Sequence, residues 1–353
     1  MWLNQLWQRC LGQPASGRPQ PARRRSMRLV LEQLEDRTVP SSFTASSVSD
    51  LIADINAANL AGGSNTITLV AGKTFTLTAV DNWGPVANND GQNGLPLIAA
   101  HDNLSIVGNG DTIERSSANG TPGFRLFDVA AGASLTLANL VLQRGLSLSQ
   151  EGGAAILNKG SLTLNRVTVQ NNIAQSLVSA SARGGIYSGG SLTMQDCTVQ
   201  NNQAVGIGGM DGLGGGLYIS GGTATLTNVR LYANTAQGAD GTKGGWVDTP
   251  YGRFHFPPTD GANGLGGGMY VAGGGTVSLH NTVVDHNNAV GGKRAASGHE
   301  GRGQGGGVYI YIDPIDPLVS AALCLDSFTL ANVINNSAST SYKDIYGSYT
   351  ICP

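Results

Sequence analysis

Short stretches of alternating apolar and polar residues recur along most of the chain. In the segment SLTLNRVTVQNN, Leu162 and Leu164 alternate with polar residues, and so do Val167 and Val169. Alternation with a period of two predicts β-strands that are buried on one face. The period slips once between the two pairs, which predicts two short strands joined by a bend at Asn165.

The same phrase returns along the chain. Copies begin at Ala154, Gly184, Gly215 and Gly267, and a looser copy begins at Gly306. Such self-similarity is typical of stacked supersecondary units rather than of a fold with one central core. In most copies a loop of variable length comes next, and Gly-Gly then begins a third strand. Three short strands per copy, joined by bends and without a helix, predict one coil of a parallel β-helix.

Equivalent residues of successive coils are expected to lie above one another, because parallel strands stack at about 4.8 Å. An asparagine at the turn after the second strand then forms a structural ladder: Asn172, Asn202, Asn234, Asn287 and Asn336. The position two residues later forms a small-residue column at a tight corner: Ala174, Ala204, Ala236, Ala289 and Ala338. The third strand carries a mostly aromatic column: Leu157, Tyr187, Tyr218, Tyr270 and Tyr309. Stacked amides can hydrogen-bond from coil to coil, so the ladder is expected to hold the coils together.

Shorter phrases upstream predict further coils, starting near Asn65, Asn103 and Phe124. The open first coil of such a stack needs a polar-faced cap. Residues 49–58 predict a short amphipathic helix in that role, with Ser49 as its N-cap.

The repeat phrases resemble the right-handed parallel β-helix proteins of the pectate-lyase-like superfamily. More narrowly, they resemble bacterial surface proteins with GGAI and FxxN repeats of the polymorphic outer-membrane-protein type. The resemblance covers residues 47–353 and implies an all-β domain, a single-stranded right-handed parallel β-helix with a short N-terminal capping helix. The right hand follows from the family and from the general preference of parallel crossover connections.

Residues 1–46 lack the repeat phrase and are predicted to be a disordered basic leader or targeting segment. The phrase LVLEQLEDRTVPS, from Leu29 to Ser41, resembles the N-terminal segment of many planctomycete surface and secreted proteins. That resemblance implies an extracellular or cell-surface location. A disordered basic tail without a targeting role is the alternative.

Composition limits the classes of partner. Charged residues make up only 12% of the chain, but no apolar run is long enough to span a bilayer, so we predict no transmembrane helix. Residues 1–40 carry seven arginines against three acidic residues, whereas the remainder carries 14 basic and 20 acidic side chains. The predicted domain is therefore acidic, and nucleic acid is not expected as a partner.

The cysteines give no indication of a metal. No pair has the spacing of metal ligands, so we predict neither a metal site nor a cofactor. Cys197 stands where sister copies have Val or Thr, which favours a small buried side chain. Cys324 and Cys352 flank the last copy and could form a disulfide, whereas Cys10 lies in the leader.

The variable loops 238–264 and 291–304 hold the candidate binding residues. They leave the repeat at equivalent points, so they are expected to project from one edge. The candidate ligand-binding residues are Trp246, Tyr251, Arg253, His255, Lys293, Arg294 and His299. Aromatic faces on such loops stack on sugar rings and other flat apolar surfaces. The alternative is that the loops fold back and cover the side of the domain.

No catalytic constellation is evident, so we predict no catalytic residue. Acidic and basic side chains on the predicted strands, such as Asp196, Asp285, Arg166 and Arg230, fall on different columns. The dipeptide Asp285-His286 is interpreted as a solvated corner pair rather than an acid/base pair. GxSxG, HExxH and P-loop motifs are absent from the sequence.

Three functions remain open. The first, which we favour, is an exported or cell-surface non-catalytic rod with a structural, adhesive or glycan-binding role, and its partner would be an extracellular polysaccharide or a cell-envelope component. The second is a carbohydrate-active enzyme, either a polysaccharide lyase or a glycoside hydrolase, acting in a groove beside loop 238–264. The third is a paralogue without any ligand.

Overall fold

The chain is described by a computed structural model over residues 40–84, 90–175, 180–249, 252–295, 298–316 and 320–352. Within these residues the protein is all-β, and its strands form long parallel sheets. Such an arrangement is compatible with a β-helix.

The elements before the clearest repeats are α1 (Val48–Ala61), β1 (Ser41–Ala45), β2 (Gly63–Leu69), β3 (Thr74–Leu77), β4 (Asp102–Arg115), β5 (Phe127–Val129), β6 (Ser134–Gln143) and β7 (Leu146–Ser147). The next two repeats contain β8 (Ile156–Asn158), β9 (Ser161–Asn165), β10 (Thr168–Gln170), β11 (Ile173–Gln175), β12 (Ala182–Arg183), β13 (Ile186–Ser188), β14 (Ser191–Gln195), β15 (Thr198–Gln200), β16 (Gln203–Val205) and β17 (Gly212–Leu213). Then follow β18 (Leu217–Ile219), β19 (Thr223–Thr227), β20 (Arg230–Tyr232), β21 (Thr235–Gln237), β22 (Gly245–Thr249), β23 (Gly252–Phe256) and β24 (Gly264–Leu265). The last elements are β25 (Met269–Val271), β26 (Thr276–His280), β27 (Val283–Asp285), β28 (Asn288–Val290), β29 (Gly303–Gln304), β30 (Val308–Ile310), β31 (Ala322–Leu325), α2 (Ser327–Ala331), β32 (Val333–Ile334), β33 (Ser337–Ala338), β34 (Ile345–Tyr346) and β35 (Thr350–Ile351).

Four sheets are built from strands of successive repeats: sheet 1 takes two strands from each repeat, and sheets 2 to 4 take one. Sheet 1 has the order β32-β27-β20-β15-β10-β6-β9-β14-β19-β26-β31-β35, and β1 to β4 join it through β6. Sheet 2 has the order β34-β30-β25-β18-β13-β8-β5, sheet 3 the order β33-β28-β21-β16-β11-β7, and sheet 4 the order β12-β17-β24-β29. Strands β22 and β23 form a separate antiparallel hairpin.

The strand register follows the repeat phrase. Leu162 pairs with Leu192, which pairs with Ala224, and that residue pairs with Val277. Equivalent apolar side chains therefore stack in one buried core. The predicted apolar column of the third strand belongs to this core, and its members are fully buried: Ile156, Ile186, Leu217, Met269 and Val308.

The helix at the start of the described fold covers one part of this core. Helix α1 buries Leu51, Ile55 and Ala58. Ser49 is not its N-cap, as the sequence had suggested, because the Ser47 hydroxyl accepts the Asp50 N–H at 3.2 Å and so occupies that position. Within the described residues, no helix is long and apolar enough to cross a bilayer.

The repeat has more strands than the sequence predicted. The alanine column does not form a bare corner, because Ala174 pairs with Ala204 inside the short strands of sheet 3. The first bend also differs by one residue, since Asn165 ends β9 and Arg166 takes the left-handed conformation with φ 52°. A strand of three residues is too short to leave an alternation pattern, which explains why sheet 3 was missed.

The predicted leader, residues 1–46, lies largely outside the described residues. Residues 1–39, which include Cys10 and most of the LEDR phrase, belong to that part. Strand β1 pairs in parallel with β2. The described fold thus contains a strand on the leader side of the boundary placed between residues 46 and 47.

The cysteines of the described fold occupy two environments. Cys324 and Cys352 form a disulfide, with their Cα atoms 5.5 Å apart. Cys197 is 3% exposed, and burial raises the pKa of its thiol. It therefore serves as a small core side chain.

Ala233 occupies a left-handed backbone conformation that is unfavourable for alanine, whereas the equivalent positions of the other repeats hold residues that tolerate it better. Its φ is 52°, and the equivalent positions with the same sign of φ hold Asn171, Asn201, His286 and Asn335. Left-handed backbone costs a residue with a Cβ about 1–2 kcal/mol, and asparagine tolerates it better. We expect Ala233→Asn to raise the free energy of unfolding by about 1 kcal/mol, measured by urea denaturation. The reciprocal change Asn201→Ala should lower it by a similar amount, and equal stabilities of wild type and A233N would contradict the argument.

Candidate functional site

A buried row of asparagine side chains runs from repeat to repeat. The Asn172 amide donates to Oδ1 of Asn202 at 2.9 Å, and the Asn202 amide donates to Oδ1 of Asn234 at 3.0 Å. Asn234 donates to Asn287 at 2.9 Å, and Asn287 donates to Asn336 at 3.0 Å. These residues are at most 5% exposed. From the second asparagine onward, each Oδ1 also accepts the backbone N–H of the preceding asparagine, so the row connects side chains and backbone.

The row ends on a residue that the repeat phrase does not contain. The Asn336 amide donates to Oδ1 of Asp344 at 2.9 Å. Asp344 thus supplies an acceptor where the next asparagine would stand. Because it lies eight residues after Asn336 and outside the phrase, sequence periodicity did not identify it.

A column of tyrosine rings covers the outside of sheet 2. The centroid distances are 5.3 Å from Tyr187 to Tyr218, 5.2 Å from Tyr218 to Tyr270 and 5.0 Å from Tyr270 to Tyr309. Tyr346 extends the column at 4.5 Å from Tyr309, which the sequence had not suggested. Burial raises the pKa of Tyr309 to about 12 and raises that of Tyr270 as well. Tyr270 and Tyr309 are therefore neutral near pH 7 and act as packing groups.

The predicted binding residues of loop 238–264 lie on the β22–β23 hairpin. Trp246 pairs with His255, and their ring centroids are 4.8 Å apart. The Arg253 guanidinium lies 5.1 Å from the Trp246 ring centroid. Trp246 is 59% exposed, so the hairpin presents an indole flanked by a cation and an imidazole. Tyr251 lies outside the described residues.

The predicted residues of loop 291–304 are anchored beside that loop. Lys293, Arg294 and His299 are all exposed. The carboxylate of Asp240 accepts the Lys293 N–H at 2.7 Å, and that of Asp260 accepts the His299 N–H at 2.6 Å. The latter bond lowers the pKa of Asp260. The structure thus brings Trp246, Arg253 and His255 together, and it ties Lys293 and His299 to the segments on either side of the hairpin.

Arg230 and Asp285 lie on different columns, as the sequence predicted, but their side chains meet diagonally across the neighbouring strands β20 and β27. Nε and Nη2 of Arg230 donate to Oδ1 and Oδ2 of Asp285 at 3.1 and 2.8 Å. His286 Nδ1 lies 3.1 Å from Oδ2 of Asp285, and the guanidinium lies 4.1 Å from the Tyr232 ring centroid. The bond to Asp285 raises the pKa of Arg230. Both carboxylate oxygens are engaged, which favours a structural ion pair over a general acid or base.

A shallow groove of about 410 Å³ lies beside this ion pair. Its lining includes Asp196, Thr198, Asn228, Arg230 and Phe328. None of its lining residues comes from the loops 238–264 and 291–304. Arg166, the other basic residue considered, donates instead to Asn139 at 2.8 Å.

Among the described residues, no group of three or more His, Cys, Asp or Glu side chains is placed to hold a metal ion. The chain matches no protein-family model, no curated protein and no solved structure.

Proposed function

We propose that the chain is an exported or cell-surface, non-catalytic rod that binds a glycan through the β22–β23 hairpin. We also propose that its sheets form a single-stranded right-handed parallel β-helix. Two facts support that winding: each of sheets 2 to 4 takes one strand from each successive repeat, and all their pairings are parallel. The right hand is the strong preference of parallel crossover connections.

The observation that carries the glycan-binding role is the exposed indole of Trp246. Trp246 is 59% exposed and lies beside an imidazole and a guanidinium, and an indole in such a mixed apolar and polar surface supports a role in recognition. An indole face stacks on the C–H face of a pyranose ring, and adjacent cationic and imidazole groups can bond to hydroxyls. Arg253 and His255 provide those groups.

The proposed location is supported by the leader. Its LEDR phrase resembles that of exported proteins, and the Cys324–Cys352 disulfide is typical of oxidising compartments. Sequencing the N-terminus of the mature protein, together with cell fractionation, tests this part of the proposal. Recovery of the unprocessed chain from the cytoplasm alone would refute it.

Trp246→Ala is expected to weaken glycan binding at least tenfold, a loss of about 1.4 kcal/mol. Glycan-array binding followed by titration calorimetry on the best ligand measures the change. Phe254→Ala is the matched control, because Phe254 is 49% exposed on the same hairpin but one residue from His255 along the strand, so it points to the opposite face. Equal losses from both variants would assign the effect to hairpin folding instead.

The enzymatic alternative rests on the Arg230–Asp285–His286 cluster beside its groove. A lyase or hydrolase would use Asp285 or His286 in proton transfer, and product would then accumulate from the bound polysaccharide. Reducing-end and unsaturated-product assays with wild type and Asp285→Ala separate the two functions. Product release by wild type that is abolished in D285A would establish the enzyme and overturn the non-catalytic proposal.

A further inference from the structure

A second groove lies next to the capping helix, well away in sequence from the hairpin. It is a shallow, open groove with a volume of about 420 Å³. Helix α1 contributes Asn56 and Asn59 to it, and the segment after β3 contributes Asp81, Asn82 and Trp83. The apolar side is lined by Pro96, Leu97 and Ala99.

Trp83 is the most informative residue of this groove. It is 66% exposed, and it lines the groove together with Pro96 and Leu97. An indole beside an apolar floor provides a stacking surface. The exposed amide of Asn56 and the second amide hydrogen of Asn59 provide polar partners for hydroxyl groups, whereas the Asn82 amide is used within the fold. The lining has the chemistry that recognises a sugar ring.

Both walls of the groove are held in place by hydrogen bonds. Asn59 donates to the Leu97 carbonyl at 2.7 Å and accepts the Ala99 N–H at 2.8 Å. Asn82 donates to the Leu95 carbonyl at 2.9 Å and accepts the Gly84 N–H at 3.0 Å. The residues on either side of Trp83 are thus fixed, and a fixed site loses less conformational entropy when a ligand binds.

A buried polar network contacts Asn82, the residue that precedes Trp83. Asn93, which is fully buried, donates to Asn82 at 2.8 Å, and its amide lies 3.2 Å from Oδ2 of Asp128. Arg125 is fully buried and lies 3.8 Å from the same Asp128 oxygen. Lys159 pairs with the buried carboxylate of Asp90. Burial of charged groups is expensive, and here the network anchors the backbone on both sides of the groove's exposed indole.

We propose that this groove is a second carbohydrate site, which binds one or two residues of a neutral saccharide. Its ionisable lining residue is Asp81, and the lining contributed by the described residues contains no Lys, Arg or His, so an acidic sugar would meet like charge there. Carboxamides and an indole match the hydroxyls and C–H faces of neutral pyranoses. The proposal goes beyond the hairpin site and does not depend on it, because no residue is shared between the two.

The test uses the full chain and defined probes. Isothermal titration compares maltohexaose, cellohexaose, xylohexaose, mannohexaose and chitohexaose, with hexagalacturonate as the acidic probe. We expect at least one neutral probe to bind and Trp83→Ala to weaken that binding at least tenfold. Trp83→Phe should retain it within about threefold, since a smaller ring still stacks. Leu60→Ala is the control, because Leu60 is 91% exposed beside Asn59 but does not line the groove.

Each outcome decides between the two sites. A loss in W83A that is absent from W246A supports the groove and counts against the hairpin, whereas the reverse pattern overturns the groove and leaves the hairpin. Losses in both variants support both sites. Binding of no neutral probe by wild type, or tighter Trp83-dependent binding of hexagalacturonate, would overturn the inference. Unchanged near-UV circular dichroism and thermal midpoint of W83A exclude a folding defect.

Discussion

Asn234→Leu is expected to lower the free energy of unfolding by about 3–5 kcal/mol, the cost of two or more buried polar groups left without partners. Oδ1 of Asn234 accepts both the side-chain amide and the backbone N–H of Asn202 at 3.0 Å, and leucine removes that acceptor. The lost Asn234 amide also donates to the Val199 carbonyl and to Asn287, each at 2.9 Å. Since these groups are inaccessible to water, solvent cannot replace the bonds.

Chemical denaturation of the purified variant measures this loss. A substitution at an exposed residue next to the asparagine row serves as the control. Gln203→Ala changes an exposed residue of strand β16 immediately after the ladder residue Asn202, and it should alter stability by no more than about 0.5 kcal/mol. Should N234L prove as stable as Q203A, the hydrogen-bonded row would not be what holds neighbouring repeats together.

Gly267→Ala is expected to destabilise the protein by about 3 kcal/mol or more, because a methyl group has no room there. A Cβ at this position would lie 2.4 Å from the Gly306 carbonyl oxygen and 2.5 Å from the backbone N and O of Asn288. All three atoms belong to backbone that is fixed by neighbouring strands, so none can move away cheaply. The Gly-Gly pair before the third strand therefore allows the backbones of neighbouring repeats to come close together.

The matched control for this substitution is Gly221→Ala. No atom lies within 4 Å of a Cβ built at Gly221, and its φ is not in the left-handed region. The change should therefore be neutral or slightly stabilising, since alanine restricts the unfolded chain more than glycine does. Thermal unfolding and soluble yield of the two variants give the comparison. A G267A protein that unfolds at the wild-type temperature would show that the repeats are not packed backbone to backbone.

These two effects have a common origin in the repeat. Each unit contacts mainly the units next to it, so stability depends on the interfaces between neighbours. The Asn row and the glycine entries form part of the same interface, since a Cβ on Gly268 would lie 3.0 Å from the side chain of Asn287. A single substitution at such an interface is therefore expected to destabilise the repeats on both sides of it.

The candidate sites were less predictable than the fold. The sequence indicated the exposed hairpin residues, because aromatic and basic residues cluster in its longest variable loop. It did not indicate Trp83, which lies outside the repeat phrases and gains its partners from α1 and from residues 96–99. It placed Arg230 and Asp285 on different columns, which the register confirms, but it did not indicate their diagonal contact, which depends on the pairing of β20 with β27 across a long insertion.

The sequence by itself determined that strands repeat, that equivalent residues stack, and which asparagines and tyrosines form rows. A repeated phrase sets the same register at every step, because each strand pairs with the copy of itself in the next unit. Only the tertiary structure decided what ends those rows, such as Asp344 and Tyr346, and which side chains meet in grooves. Those contacts join segments that do not repeat, and their proximity depends on how the chain returns after each loop, which no local periodicity encodes.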